Sequence, residues 1–227
     1  MKHLVLLILL FSIINLSAQN KYDFDYLLEF DDKTPLLKNS THTDSTSFYL
    51  VNSNQNGYIL YVSDKDSLNH HLIFNDREKT KLSFKINKES FANTKIIRIC
   101  QQNFTPKKKK DINENDTKKY YFKNFNDTII NNEVFYHYAL KNNIQKQIQK
   151  RKEIITCHFI VKKDILYFIP FLYHSLAYQK WKEDKNTPNG FPYMIYYENF
   201  NGDITFKMTL KNSIKIDKSI VISTECK

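Results

Sequence analysis

Cys157 and His158 stand side by side, the one place in this 227-residue chain where a thiol and an imidazole are neighbours. Such a pair could do nucleophilic chemistry, the imidazole taking the thiol proton. The surrounding "EIITCHFIV" reads as a strand with Ile155, Cys157, Phe159 and Val161 on one side. Adjacent strand side chains point to opposite faces, so the two groups are kept apart. His42, His70, His71, His137 and His174 are scattered along the chain. His137, His158 and His174 could be drawn together as metal ligands only by the fold, since no ligand spacing links them. The sequence therefore predicts polar-surface or satisfied core histidines and no metal. No G-x-S-x-G, H-E-x-x-H or C-x-x-C occurs, and three glycines leave no material for a phosphate-cradling loop. The reading is of a protein that is not an enzyme, with no catalytic residue and no cofactor. A hydrolase built on carboxylates that no spacing reveals is the least favoured alternative.

Binding chemistry is better represented. Fifteen tyrosines, 17 phenylalanines and one tryptophan make 15% of the chain. Such residues suit cross-strand packing, and a share of them can also line a groove, since ligand pockets are largely apolar with a few polar groups. The stretch "YQKWKEDKNTPNGFPYMIYY" gathers the sole tryptophan, two of five prolines and one of three glycines. Trp181, Phe191, Tyr193 and Tyr196 are expected near the mouth of a curved sheet, with Pro188 and Gly190 shaping the loop beside it. The same residues also have a plain structural reading as a helix end, a turn and the start of a hairpin.

The elements that would position these residues are mostly strands. In "KYDFDYLLEFDD" Tyr22, Phe24, Tyr26, Leu28 and Phe30 alternate against Asp23, Asp25, Glu29 and Asp31. "SFYLVNS", "YILYVSD", "LNHHLIF" and "TKLSFKIN" continue a meander, with Asn56-Gly57 read as the first tight turn. "TKIIRIC" is a further strand. Residues 101–126 read as a long basic loop with the pairing segment "KYYFKNF" inside it. "DTIINNEVFYHYAL" is a hairpin with Asn131-Asn132 at its tip. "NNIQKQIQKRK" supports a helical turn or two, and "ILYFIPF" is read as a strand after the turn "KKD". Leu172 to Lys182 reads as a short helix. "PYMIYYENF", Asn201-Gly202 and "DITFKMTLK" close with another hairpin. About ten strands without a βαβ rhythm predict a mostly β fold: an antiparallel meander forming a strongly curved sheet or half-barrel, with one or two short helices.

The first 18 residues read as a cleaved signal peptide. Lys2 gives the positive start, Leu4 to Ile14 the apolar run, and Ala18 the small residue before the cut. Residues 19–227 are then a single β-rich domain, expected to be secreted or periplasmic, with no transmembrane segment in the mature chain. Net charge is +10, concentrated at Lys107–Lys110, Lys118–Lys119 and Lys146–Lys152. Export argues against a nucleic-acid partner, and solvated loops account for most of the charge. Cys100, Cys157 and Cys226 allow one disulfide among three pairings, which the sequence does not choose between.

"NLSAQ", "KYDFDYLLEFD", "FYLVNSNQNGYILYV" and "LAYQKWKEDKNTPNG" resemble a group of uncharacterised secreted proteins from flavobacteria. The order "DTIINNEVFYHYAL", "ITCHFIV", tryptophan and "PNG" is remotely similar to the GLPGLI-type secreted proteins, although that family's own signature is not present. Both resemblances imply a curved antiparallel sheet like that of periplasmic lipoprotein carriers, and neither implies an activity. For such bacteria they also make Asp66-Ser67-Leu68 and Asp127-Thr128-Ile129 candidate O-glycosylation sequences. The expected function is a non-enzymatic cell-envelope protein that binds an amphipathic small molecule or an envelope protein. The alternative is a structural or surface protein acting only through contacts with proteins or anionic polymers.

Overall fold

The computed structural model describes residues 20–33, 45–100, 114–151, 153–163 and 168–223. Within it Tyr22, Phe24, Tyr26, Leu28 and Phe30 are all buried along β1 (Asn20–Lys33), as their alternation requires. The meander follows as β2 (Ser45–Asn52), β3 (Gln55–Asp64), β4 (Asn69–Asp76) and β5 (Lys81–Asn87), then α1 (Lys88–Asn93) and β6 (Ile96–Cys100). After α2 (Glu114–Thr117) come β7 (Tyr120–Asn124), β8 (Thr128–Ile130), β9 (Glu133–Asn142), α3 (Lys146–Arg151) and β10 (Thr156–Lys162). The last described elements are α4 (Ser175–Asp184), β11 (Pro192–Glu198) and the 20-residue β12 (Ile204–Ser223).

All twelve strands among the described residues belong to one sheet, ordered β5-β4-β3-β2-β1-β12-β11-β10-β9-β7, with β6 on β12 and β8 on β9. The mostly β, curved antiparallel sheet expected from the sequence is present. One pairing departs from the antiparallel rule: β6 runs parallel to the end of β12, Ile97 opposite Ile220 and Ile99 opposite Ile222. Alternation within a strand carries no information about partner direction, so this could not be read from "TKIIRIC".

The curvature has a local cause. β1 shifts register against β12 between Phe24 and Tyr26 and again between Glu29 and Phe30. Such irregularities bend a strand and increase its twist. Consequently one face of β1 serves two cores. Tyr26, Leu28 and Phe30 join Tyr49, Tyr138, Phe159, Ile195 and Met208 in a first core, roofed by Phe168, Phe171, Leu172 and the α4 residues Ala177 and Tyr178. Tyr22 and Phe24 join Leu60, Leu72, Phe74, Ile97 and Ile220 in a second core. β2 and β3 lie between the two, so Leu50 and Val51, like Ile59 and Leu60, are buried on opposite faces. Each such side chain contributes about 1.5–3 kcal/mol relative to exposure.

Two readings of the sequence change. The turn between β2 and β3 is Ser53-Asn54, not Asn56-Gly57, which lies inside β3. Side chains hold it: the Asp25 carboxylate accepts from the Ser53 amide at 2.7 Å and hydroxyl at 2.5 Å, and Asn52 Oδ1 accepts from the Asn54 amide at 2.9 Å. The segment read as the strand "ILYFIPF" is, over its described part, an irregular roof. Phe168 and Phe171 leave β-pairing and turn into the first core, and Pro170 has no amide proton to give a ladder. Other turns match their sequence signals. Asn131 and Asn132 take φ of 50° and 65° at the β8–β9 tip, and Gly202 takes φ 88° before β12. The predicted leader 1–18, the lysines 107–110, His42 and Cys226 lie outside the described residues.

Candidate functional site

Strands β1 to β5 and β12 present residues to a cavity of about 460 Å³ beneath the start of α4. Tyr49, Ile59, Tyr61, Ile73, Tyr173 and Phe206 supply its apolar and aromatic wall; Asp32, Asn75, Lys81, His174 and Ser175 supply its polar groups. The register explains why they meet. Tyr49 pairs with Tyr61, and Tyr61 with Ile73, so all three share one face. Asn75 opposite Lys81 extends that face to the sheet edge. On that face of β4 and β5 the apolar rule is broken by Asn75, Lys81, Ser83 and Lys85, while Leu72, Phe74, Leu82 and Phe84 on the other face fill the second core.

The electrostatics of the cavity are mixed. Burial raises the Asp32 carboxyl, against the opposing hydrogen bond that Ser47 Oγ donates at 3.1 Å. Burial likewise raises the hydroxyls of Tyr49 and Tyr61, so both are neutral donors near pH 7. His174 lies at the lip, where packed surroundings and then the Arg77 charge lower its imidazole although part of the ring meets solvent. Lys81 is exposed and makes no ion pair with any described acid. The volume falls in the range of small-molecule sites, about 300–1,000 Å³.

A second cavity of about 220 Å³ lies on the other side of His174, which lines both. Leu140, Ile154, Ile155, Cys157, Leu176 and Tyr197 form most of its wall. The Tyr197 ring stands 5.9 Å from His174 and 5.1 Å from Phe206, so these three rings stand between the chambers. Tyr197 Oη is buried, and burial raises its hydroxyl well above the usual range.

None of the six residues expected at a groove mouth lines either chamber. Phe191 is buried against Phe168 at 4.4 Å and Tyr26 at 5.3 Å. Gly190, with φ 140°, donates its amide to Phe168 O at 2.7 Å, tying the loop to the roof. Pro188 is half-buried in that loop. Trp181 packs from α4 onto the first core, 6.2 Å from Tyr178. Tyr193 packs on Phe135 at 4.7 Å, and Tyr196 stacks on His158 at 4.4 Å.

Cys157 and His158 point to opposite faces, as alternation requires. Cys157 is a free, buried thiol in the first core, while Cys100 is disulfide-bonded. Of the three histidines considered together, His137 and His158 meet on the face opposite that core, and His174 does not join them. Among the described residues no group of three or more His, Cys, Asp or Glu could hold a metal ion. Asp66 is engaged in a local turn, accepting from the Leu68 and Asn69 amides at 2.9 and 2.8 Å. That gives the Asp66-Ser67-Leu68 sequence a structural role of its own. Lys119 of the basic runs pairs with Asp116 at 2.8 Å.

Sequence reasoning missed Asn75, Lys81 and Tyr61. The available signal was the polar face of "LIFNDREKTKLSFKIN", which should be apolar if packed and is instead mixed.

No family model matches the chain. No curated protein matches its sequence. Among solved structures, a chain of the Pseudomonas aeruginosa MucA/MucB complex aligns over 87% of this chain and 51% of its own, at 8% identity and a TM-score of 0.34. This chain thus spans about half the length of that one. A putative outer membrane lipoprotein-sorting protein domain from Vibrio parahaemolyticus aligns over 85% of each chain at 9% identity and a TM-score of 0.32. A DUF1329 family protein from Desulfovibrio piger aligns over 91% and 89% at 10% identity and 0.31. Likeness at this level carries no inference about ligand or partner. No helix among the described residues is long and apolar enough to cross a membrane.

Proposed function

We propose that this protein is an exported, non-enzymatic binding protein of the cell envelope that carries an amphipathic small molecule between the sheet and α4. The observation that carries this reading is the cavity of about 460 Å³, walled by aromatic and branched side chains with Lys81, Asn75 and His174 among its polar groups. An aromatic wall accepts an apolar body, and a few polar groups fix its orientation. Lys81 lies near the sheet edge, where an anionic head group would keep contact with water. The ligand's apolar part would lie along Tyr61, Ile73 and Phe206.

Titration with a fluorescent single-chain anionic amphiphile tests this. Saturable binding is expected, weakened about tenfold or more by Ile73→Trp, which fills the cavity from a half-buried β4 position. Trp181→Ala is expected to leave affinity unchanged, since Trp181 does not line the cavity. Equal affinity for the wild type and Ile73→Trp would place any binding elsewhere.

A further inference from the structure

Arg77 carries a charge that the fold has buried without an ion-pairing acid among the described residues. Its backbone is fixed where β4 ends: the Arg77 amide donates to Gly57 O at 2.8 Å, and the Asp76 amide to Thr80 O at 2.8 Å. Asp76 Oδ1 accepts from the Glu78 and Lys79 amides, both at 2.9 Å, which locks the turn that follows. The side chain is only 2% exposed, and its guanidinium carbon lies 5.4 Å from the centre of the Tyr178 ring. Nε and Nη1 are buried and have no hydrogen-bonding partner.

The nearby acids are already engaged. Asp76 Oδ2 accepts from Tyr22 Oη at 2.7 Å. Glu78 Oε1 accepts from Tyr178 Oη at 3.1 Å and from Lys182 Nζ at 2.5 Å. No ion pair joins Arg77 to an acid among the described residues. Burial lowers its pKa to about 10, which leaves it charged at neutral pH. An uncompensated buried charge is among the least favourable features a core can hold, and proteins normally pair it. The ring of Tyr178 offsets part of the cost and cannot neutralise it.

Beside Arg77 lies a small cavity of about 10 Å³, lined by Val51, Ile59, Phe168, Ile169 and Phe171, with Asn52, Gln55 and Asn56 at its polar side. That volume is near the lower limit for one small guest. The amide groups of Asn52 and Asn56 already donate to Asp23 O at 3.0 Å and Pro170 O at 3.2 Å. Arg77 is the one charged residue among those that line the space. A polyatomic oxyanion such as sulfate or phosphate presents several oxygens that each need a donor, more than these mostly apolar walls supply. A monatomic monovalent anion makes the smaller demand.

We propose that Arg77 holds a single halide ion, chloride under ordinary conditions, in the cavity beneath residues 168–172. The site is distinct from the larger chamber, with Ile59 common to both linings, and the inference does not depend on what that chamber carries. Its role is structural: the anion neutralises Arg77 and so holds the roof segment against β3.

The test is a change of anion at fixed ionic strength. An anion bound only by the native state raises its stability with concentration. Melting should rise by about 2–4 °C when gluconate is replaced by 0.2 M chloride or bromide. The Arg77→Met variant, which keeps the volume and removes the charge, should lose that dependence. Crystals grown in bromide should show an anomalous peak within about 3.5 Å of the Arg77 guanidinium, hydrogen-bonding reach for a large anion. Superimposable wild-type melting curves in chloride and gluconate would overturn the proposal, whether or not Arg77→Met folds. A bromide peak without any effect in solution, an adventitious ion only, would overturn it as well.

Discussion

His137 Nε2 and His158 Nδ1 lie 3.0 Å apart, and His158 Nε2 lies 3.4 Å from a Glu198 carboxylate oxygen. Phe125 stacks on His137 at 4.4 Å, and Tyr196 stacks on His158 at 4.4 Å. Two imidazoles share one hydrogen bond only if at least one is neutral on the facing nitrogen. Burial, then His137, then Lys141 lower His158 from the ordinary 6.5 to about 4. Burial also lowers His137, against the opposing Glu198 charge.

The native state thus resists a proton that the unfolded chain accepts near pH 6.5. Stability is expected to be full above that pH and to fall as pH drops toward about 4, where native His158 also protonates. The loss attributable to His158 is about 1–2 kcal/mol once solvent screening is allowed for. Denaturant unfolding at pH 7 and 4.5 measures it, and His158→Phe, which keeps the stacking, should flatten the difference. An unchanged pH slope in that variant would remove His158 as the cause.

The Tyr138 ring is fully buried, stacked on Phe159 at 4.8 Å, and its hydroxyl has no partner. A buried hydroxyl without a hydrogen bond has lost its water and gained nothing. Tyr138→Phe is therefore expected to leave stability unchanged or raise it by about 1 kcal/mol. A loss above about 1 kcal/mol in urea denaturation would mean that the hydroxyl makes a bond in solution.

Cys157 is buried in the first core, and burial pushes its thiol well above the usual range. Cys100 is disulfide-bonded. The native protein should be inert to a thiol reagent near pH 8, and the denatured, unreduced protein should titrate one thiol per chain, on Cys157. Rapid native labelling of Cys157 would show that the first core opens readily.

Lys81 is the cation at the chamber's outer rim. Lys81→Glu is expected to weaken an anionic amphiphile about tenfold and to leave a neutral one of the same chain length within about twofold, with the contrast shrinking as salt is added. Equal weakening of both probes would assign the change to the shape of the cavity instead of its charge.

Much of this fold could be read from the chain. Alternation in β1 and β5, the asparagine pair at the β8–β9 tip and the glycine before β12 each express a local preference that the structure satisfies. What could not be read was non-local. The parallel partner of β6 depends on where β12 ends, and the two cores of β1 depend on register shifts that no residue type announces. The site follows the same division. Trp181, Phe191 and Tyr196 drew attention because their types are unusual, yet Phe191 is needed by the roof and Tyr196 by His158. The chamber is made instead by ordinary residues, Tyr61, Ile73, Asn75 and Lys81, whose meeting requires the register of three strands and the position of α4.

Native mass spectrometry of residues 19–227, purified gently from a periplasm and compared before and after solvent extraction, tests ligand carriage most directly. A reproducible added mass that extraction removes is expected for the wild type and should be absent from Ile73→Trp. A bare chain mass in the wild type, with no binding of the fluorescent amphiphile, would contradict carriage of a small molecule in this chamber.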